Sequence, residues 1–137
     1  MDEQLNIPNI PCTISAYCQV NPSEDKQKVE RTISNVLPNM DICIKEDSVK
    51  ATSKTLESLF RIYEIIHSRN TQKVYGRNLK RNLTDDYTWL YLNKQAAFVD
   101  VVTLCENADE SPLGPIKVIL QSKHIEQIIN WLISSSE

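Results

Sequence analysis

Three groups of side chains in this chain have types and spacings that could do chemistry. The first is cationic. From Arg69 to Leu83 there are five cations (Arg69, Lys73, Arg77, Lys80 and Arg81) and no acid. Arg69, Lys73, Arg77 and Arg81 recur every four residues. On one continuous helix they form a single stripe, with Lys80 beside it. Such a stripe can follow a phosphate backbone, because each phosphate neutralised by Lys or Arg releases counterions. The plainer reading is a solvated helix face. The missing acids favour phosphate contact; Asp85 and Asp86 just downstream count against it.

The second group is Asn93-Lys94-Gln95, inside the stretch LYLNKQAAFVDVV. Lys94 could meet a phosphate while Asn93 and Gln95 bond a base edge or a sugar. The competing and simpler reading is a connection between two strands. Asn tolerates turn conformations and can bond nearby backbone, and Ala96 and Ala97 then permit close packing. The third group is aromatic. Tyr87, Trp89 and Tyr91 alternate, and Tyr17 lies on an earlier strand-like run. On an open sheet face such rings can stack bases. They can equally pack on a second subunit, since interfaces are enriched in Tyr and Trp. No aromatic RNA-recognition signature surrounds them, which favours the dimer.

Enzyme chemistry has the least support. His67 and His124 fall on helical segments without an H-E-x-x-H pattern, and neither glycine opens a phosphate-cradling loop. Asp85-Asp86 reads as a loop rather than an acid/base pair. A Cys–His arrangement remains open, because its partners need not be near in sequence. Cys12, Cys18, Cys43 and Cys105 contain no C-x-x-C pair, so a zinc knuckle is not expected. Cys12 and Cys18 are separated along one strand by about 20 Å, at ~3.3 Å per residue. A disulfide needs Cα atoms within about 7 Å. Reduced, buried thiols are expected, with a cross-strand disulfide as the alternative. No metal or cofactor is expected.

The elements that position these groups follow from length and periodicity. With 137 residues the chain suits one domain. Its net charge is −3, and the stretch from Arg69 to Leu83 leaves −8 on the remainder. That remainder repels a polyanion unless the basic face is well separated from it. No apolar run approaches the ~18 residues of a membrane span. The start, MDEQLNIPNIP, is acidic and proline-interrupted, unlike a secretory signal. Residues 1–11 therefore read as a loose tail before a domain over 12–137, and the protein as cytoplasmic.

CTISAYCQV alternates as a half-buried strand. A helix follows, with Ser23 as its N-cap, Glu24 and Asp25 at the positive end of its dipole, and Pro38 as its stop. MDICI reads as a short strand and the next segment as a polar link. TLESLFRIYEIIHSRN is helical through Leu56, Leu59, Phe60, Tyr63 and Ile66. TQKVYGRNLKRNL is a further helix, which Gly76 weakens by about 1 kcal/mol. Strands are expected at Tyr87–Asn93, Phe98–Leu104 and Ile116–Gln121. Ser111-Pro112-Leu113-Gly114 forms a turn between the last two. SKHIEQIINWLISSSE closes the chain as a helix whose cap is Ser122.

The order β-α-β-α-α-β-β-β-α predicts a two-layer α+β domain, with helices packed on one face of a largely antiparallel sheet. Leu90, Leu92, Phe98, Val102, Ile116, Val118 and Leu120 are assigned to the core. Tyr17, Trp89, Tyr91, Val101 and Ile119 are assigned to the uncovered face, for dimerisation or stacking.

YLNKQAAFV, followed by SPLGPIKVIL, resembles a small archaeal family of uncharacterised proteins sometimes labelled RNA-binding proteins or exosome subunits. NPSEDKQKV and the ending WLI are similar to that family too, so the likeness runs from about Cys12 to Ile133. The resemblance implies a fold similar to the large-subunit ribosomal protein that carries 5S ribosomal RNA. It also implies a homodimer, and RNA or a ribonucleoprotein as partner, with no established catalytic activity. Asp100 stands where relatives are expected to have glycine, and the eleven-residue N-terminal tail reads as an addition to the family pattern. The functional expectation is thus a non-catalytic RNA-associated protein. The alternatives are a homodimeric interaction module and, more weakly, an enzyme of unknown reaction.

Overall fold

The structure, a computed structural model, describes residues 7–134. Six strands and five α-helices follow in chain order. They are β1 (Thr13–Gln19), α1 (Lys26–Val36), β2 (Asp41–Ile44), β3 (Ser48–Ser53), α2 (Phe60–Ser68), α3 (Gln72–Arg81), β4 (Tyr87–Leu92), α4 (Lys94–Phe98), β5 (Leu104–Cys105), β6 (Ile116–Gln121) and α5 (Ile125–Ile133). The sheet order is β2-β3-β1-β6-β4-β5, and every neighbouring pair is antiparallel. It is an open α+β sheet with the helices on one face, as the periodicity predicts.

The alternation along each strand decides which face is buried, because successive side chains point to opposite sides. Ile14, Ala16 and Cys18 of β1 meet Val118, Leu120 and Ile116 of β6 and Leu90 and Leu92 of β4 in the core. Val29, Ile33 and Val36 of α1 close over them, as do Ile62 and Ile66 of α2 and Ile128, Ile129 and Leu132 of α5. Gly76 explains itself at the α3–α5 contact: a Cβ there would lie 3.0 Å from Ile133 Cδ1.

Several local expectations are corrected. The polar link after β2 is the strand β3; of its inward residues Val49, Ala51 and Ser53 only two are apolar, which gave too little signal. The expected strand Phe98–Leu104 is mostly absent. Asn93 caps a short helix instead, accepting a hydrogen bond from Ala96 N–H at 2.8 Å. Only Leu104–Cys105 remains as strand. Phe98, assigned to the core, is 49% exposed, and Val101 sits on the loop after α4 rather than on the sheet face. The α1 cap is Asp25, not Ser23: its carboxylate accepts from Gln27 N–H at 2.9 Å. Ser122 does not cap α5. Its hydroxyl accepts from His124 N–H at 2.9 Å and donates to Pro11 O at 2.7 Å.

Of the stretch read as a tail, Ile7 and Ile10 are half-buried against the core. Residues 1–6 lie outside the described residues, as do residues 135–137, which the last helix was expected to include. All four cysteines are free; Cys18 and Cys105 are buried as expected, whereas Cys12 is half-buried and Cys43, on the edge strand β2, is exposed. Burial pushes the Cys18 thiol up to about 11, the nearby Lys94 offsetting this in part.

Candidate functional site

The structure separates the three groups. Lys94 turns inward, into a knot between the β1–α1 loop and the loop before β6, with Asn93 half-buried and Gln95 exposed at its rim. Lys94 is 4% exposed. Its ammonium donates to Gln19 O at 3.0 Å, to Leu113 O at 2.7 Å and to the Glu24 carboxylate at 3.0 Å. An ammonium has three protons, so none is left for a ligand. The expected phosphate contact at Lys94 is therefore corrected. A buried charge must be paired and hydrogen-bonded, and these acceptors meet that demand.

The neighbours of Lys94 complete the knot. Its backbone N–H donates to Ser111 Oγ at 3.0 Å. Gln95 Nε2 donates to Pro112 O at 2.7 Å. Asn21 Nδ2 donates to Leu113 O at 2.9 Å and to Glu24 Oε1 at 3.0 Å. The Ser111–Gly114 turn forms as expected, with Gly114 N–H on Ser111 O at 3.0 Å. Leu113 takes φ +67°, a left-handed value that costs a bulky residue energy. Its carbonyl is the acceptor that Lys94 and Asn21 share. Burial raises the Glu24 pKa, but hydrogen bonds from Asn21 and Lys94 outweigh it and hold the carboxyl below its ordinary value. A hollow of about 320 Å³ opens beside the knot, with Glu24, Asp25 and Lys28 among its lining residues. The two motifs that carried the family resemblance are thus one hydrogen-bonded unit.

The cationic group is split. α2 ends at Ser68, Arg69 caps it, and Asn70 turns the chain at φ +53°. The stripe is therefore not continuous: Arg69 belongs to the turn, and α3 carries Lys73, Arg77, Lys80 and Arg81. All four are exposed. α3 is fixed to the sheet from its other side. Thr88 Oγ1 donates to Leu79 O at 2.6 Å, and Asn82 Nδ2 donates to Trp89 O at 2.9 Å. Arg77 lies 4.0 Å from Glu106, at the limit of an ion pair.

The aromatic group lies on the uncovered sheet face. Strand register sets Lys50, Tyr17, Lys117 and Tyr91 directly across β3, β1, β6 and β4. The adjacent row is Thr52, Ser15, Ile119 and Trp89. Trp89 and Tyr91 have ring centroids 5.0 Å apart. Lys117 Nζ stands 4.8 Å from the Trp89 ring centroid, and Lys50 Nζ 6.0 Å from that of Tyr17. Tyr17 is 42% exposed. No Asp or Glu occurs in β1, β3, β4, β5 or β6; Asp41, on the edge strand β2, is the nearest strand carboxylate. The residue pattern identified the rings but missed the two lysines in their row, Lys117 between them and Lys50 beyond Tyr17. Their place needed the strand register, which periodicity alone does not fix.

His67 is taken up structurally: its Nε2 lies 3.0 Å from Leu132 O, and its ring packs on Tyr63 at 4.1 Å. Among the described residues no group of three His, Cys, Asp or Glu side chains is placed to hold a metal, and no helix is long and apolar enough to cross a membrane.

An open antiparallel sheet, backed by helices on one side and bare on the other, defines the class: a two-layer α+β domain with an exposed polar and aromatic sheet face. Within that class the family is specific. A family model described as RNA binding matches residues 13–122, and the chain belongs to that family. It is 35% identical over 119 residues to a UPF0201 protein of Methanothermobacter thermautotrophicus, spanning 87% of this chain and 89% of the relative. A UPF0201 protein of Sulfurisphaera tokodaii is 33% identical over 120 residues, spanning 83% and 81%. The crystal structure of a UPF0201 protein from Methanococcus jannaschii superposes with a TM-score of 0.77 at 25% identity, covering 91% of this chain and 95% of that one.

Proposed function

We propose that this protein is a non-catalytic, cytoplasmic RNA-associated protein. The observation that carries the reading is the α3 surface. Lys73, Arg77, Lys80 and Arg81 are all exposed, no carboxylate occurs on the helix, and the helix is hydrogen-bonded to β4 through Leu79 O. A fixed row of cations in a chain of net −3 is an electrostatic footprint for phosphate. The family description as RNA binding agrees with it. Arg69, at the preceding turn, adds a fifth cation. Asn93 Oδ1 caps α4 and Gln95 is bonded to Pro112 O and Ser111, so α3 rather than this pair is taken as the source of affinity, without sequence choice.

The test is titration of RNA at several salt concentrations. Changing Lys73, Arg77, Lys80 or Arg81 to Gln should weaken binding across sequences. Each lost contact should lower the salt slope by about 0.7–0.9. Unchanged slopes in all four variants would make α3 a solvated face.

The second reading is a homodimeric interaction module, with RNA playing no part. It is favoured by the bare apolar content of the sheet face at Tyr17, Trp89, Tyr91 and Ile119.

A further inference from the structure

We infer that the open sheet face is a stacking platform for single-stranded RNA, an inference that rests on the RNA reading above and names the form of RNA and the surface that takes it. The rings are set in two stations. Tyr17 lies on β1, and Trp89 and Tyr91 lie on β4. β6 runs between them, so the stations are two strand spacings apart, about 10 Å. Lys117 stands between the stations and Lys50 on the outer side of Tyr17. Ring and cation therefore alternate across four strands.

This alternation fits a chain that offers both base faces and phosphates. Base–aromatic stacking tolerates any sequence, because every base has a π-face. In a duplex those faces are already stacked on one another, so the rings select unpaired strands. The lysines now rest on the rings themselves, Lys117 at 4.8 Å from Trp89 and Lys50 at 6.0 Å from Tyr17. When a base takes the ring face, the displaced ammonium is within side-chain reach of the accompanying phosphate. The charge pattern argues against an acidic or neutral occupant. Five of the six strands carry no carboxylate, although the chain as a whole is acidic.

The chain's two tryptophans make the platform observable. Trp131 belongs to the helix layer, stacked on Tyr63 at 4.7 Å. Trp131→Phe therefore leaves Trp89 as the sole reporter on the sheet face. The full chain carrying this change is titrated with a labelled single-stranded RNA of about twelve mixed nucleotides, and with the same sequence as a duplex. Label anisotropy reads binding, and Trp89 fluorescence reads the site. The expected result is quenching of Trp89 by the single strand and weaker binding of the duplex. Tyr17→Ala and Tyr91→Leu should each weaken single-strand binding about fivefold or more. Lys50→Gln and Lys117→Gln should each lower the salt slope by about 0.7. Anisotropy showing RNA binding, with Trp89 unquenched and both tyrosine variants unaffected, overturns the platform and leaves the RNA reading standing. No anisotropy change with either RNA at low salt overturns both. Equal affinity for single strand and duplex overturns the single-strand preference. A doubled mass in light scattering, with a blue shift of Trp89 that RNA does not alter, makes the face an interface between two copies and overturns the platform.

Discussion

Lys94 and Lys117 are the same residue type put to opposite uses. Lys94 is buried in the knot, and its ammonium is divided among Gln19 O, Leu113 O and the Glu24 carboxylate. Lys117 lies on the open sheet, and its ammonium rests against the Trp89 ring. The first lysine is a cross-link between loops. The second is held only by a weak attraction to a π-face, worth about 0.5–1 kcal/mol at an exposed site. A lysine's availability to phosphate is thus decided by where its three protons already go. The lysine weighed as a phosphate contact in Asn93-Lys94-Gln95 has its three protons engaged within the fold.

The comparison is broken most easily at the knot. Lys94→Met removes the cation and leaves Glu24 facing carbonyl oxygens in a partly buried site. The cost should be about 3–5 kcal/mol, as for other buried pairs that lose one partner. Adding Glu24→Leu should recover part of that loss, because replacing both charges by apolar groups is often near neutral. Urea denaturation of the single and double variants measures both. An unchanged midpoint for Lys94→Met would mean that the knot does not hold the loops.

Ser111→Ala is the gentler version. It removes the acceptor of the buried Lys94 N–H, and stranding that donor should cost about 1–3 kcal/mol.

Acid provides an independent handle on the same unit. The Glu24 carboxyl is held below its ordinary value when folded. Its contribution is therefore complete above the unfolded value of about 4.3 and is lost as pH falls through the lower folded value. Denaturation midpoints should accordingly fall less between pH 6 and pH 3 for Glu24→Gln than for the unmodified chain. An identical acid limb would remove Glu24 from the account of stability.

The outward region should respond least. Lys117→Gln touches no buried partner and should shift stability by no more than about 0.5 kcal/mol.

Legibility from sequence followed the same division. Patterns that depend on local periodicity were readable: the alternation of β1, the β4 rings at every second position, the core faces of α1 and α5, and the acid-free cationic run. The knot was not, because its partners are distant in sequence. Glu24 is 70 residues from Lys94, and Leu113 is 19 away. Nothing in LYLNKQAAFV says that a buried carboxylate awaits its lysine. The Phe98–Leu104 segment misled for a related reason. Its β-branched residues read as strand, but the Asn93 cap and the inward anchor at Lys94 override that preference. Asn70 is a third case: Asn enters the left-handed region at small cost, and one such residue parts a four-residue repeat that only a continuous helix would line up. Asp100 does the same at φ +69°, which accounts for glycine being suited to that position. Here Asp100 adds a surface pair with Arg61 at 2.8 Å.

The most direct test of the division between an inward lysine and an outward one is to measure single-stranded RNA affinity for Lys94→Gln and Lys117→Gln side by side, each expressed per folded molecule. Lys117→Gln should fold normally and bind more weakly, with a salt slope lower by about 0.7. Lys94→Gln should lower the denaturation midpoint and leave affinity per folded molecule unchanged. A Lys94→Gln protein that is fully stable yet loses RNA affinity, beside a Lys117→Gln protein that binds like the unmodified chain, would contradict the assignment of both lysines.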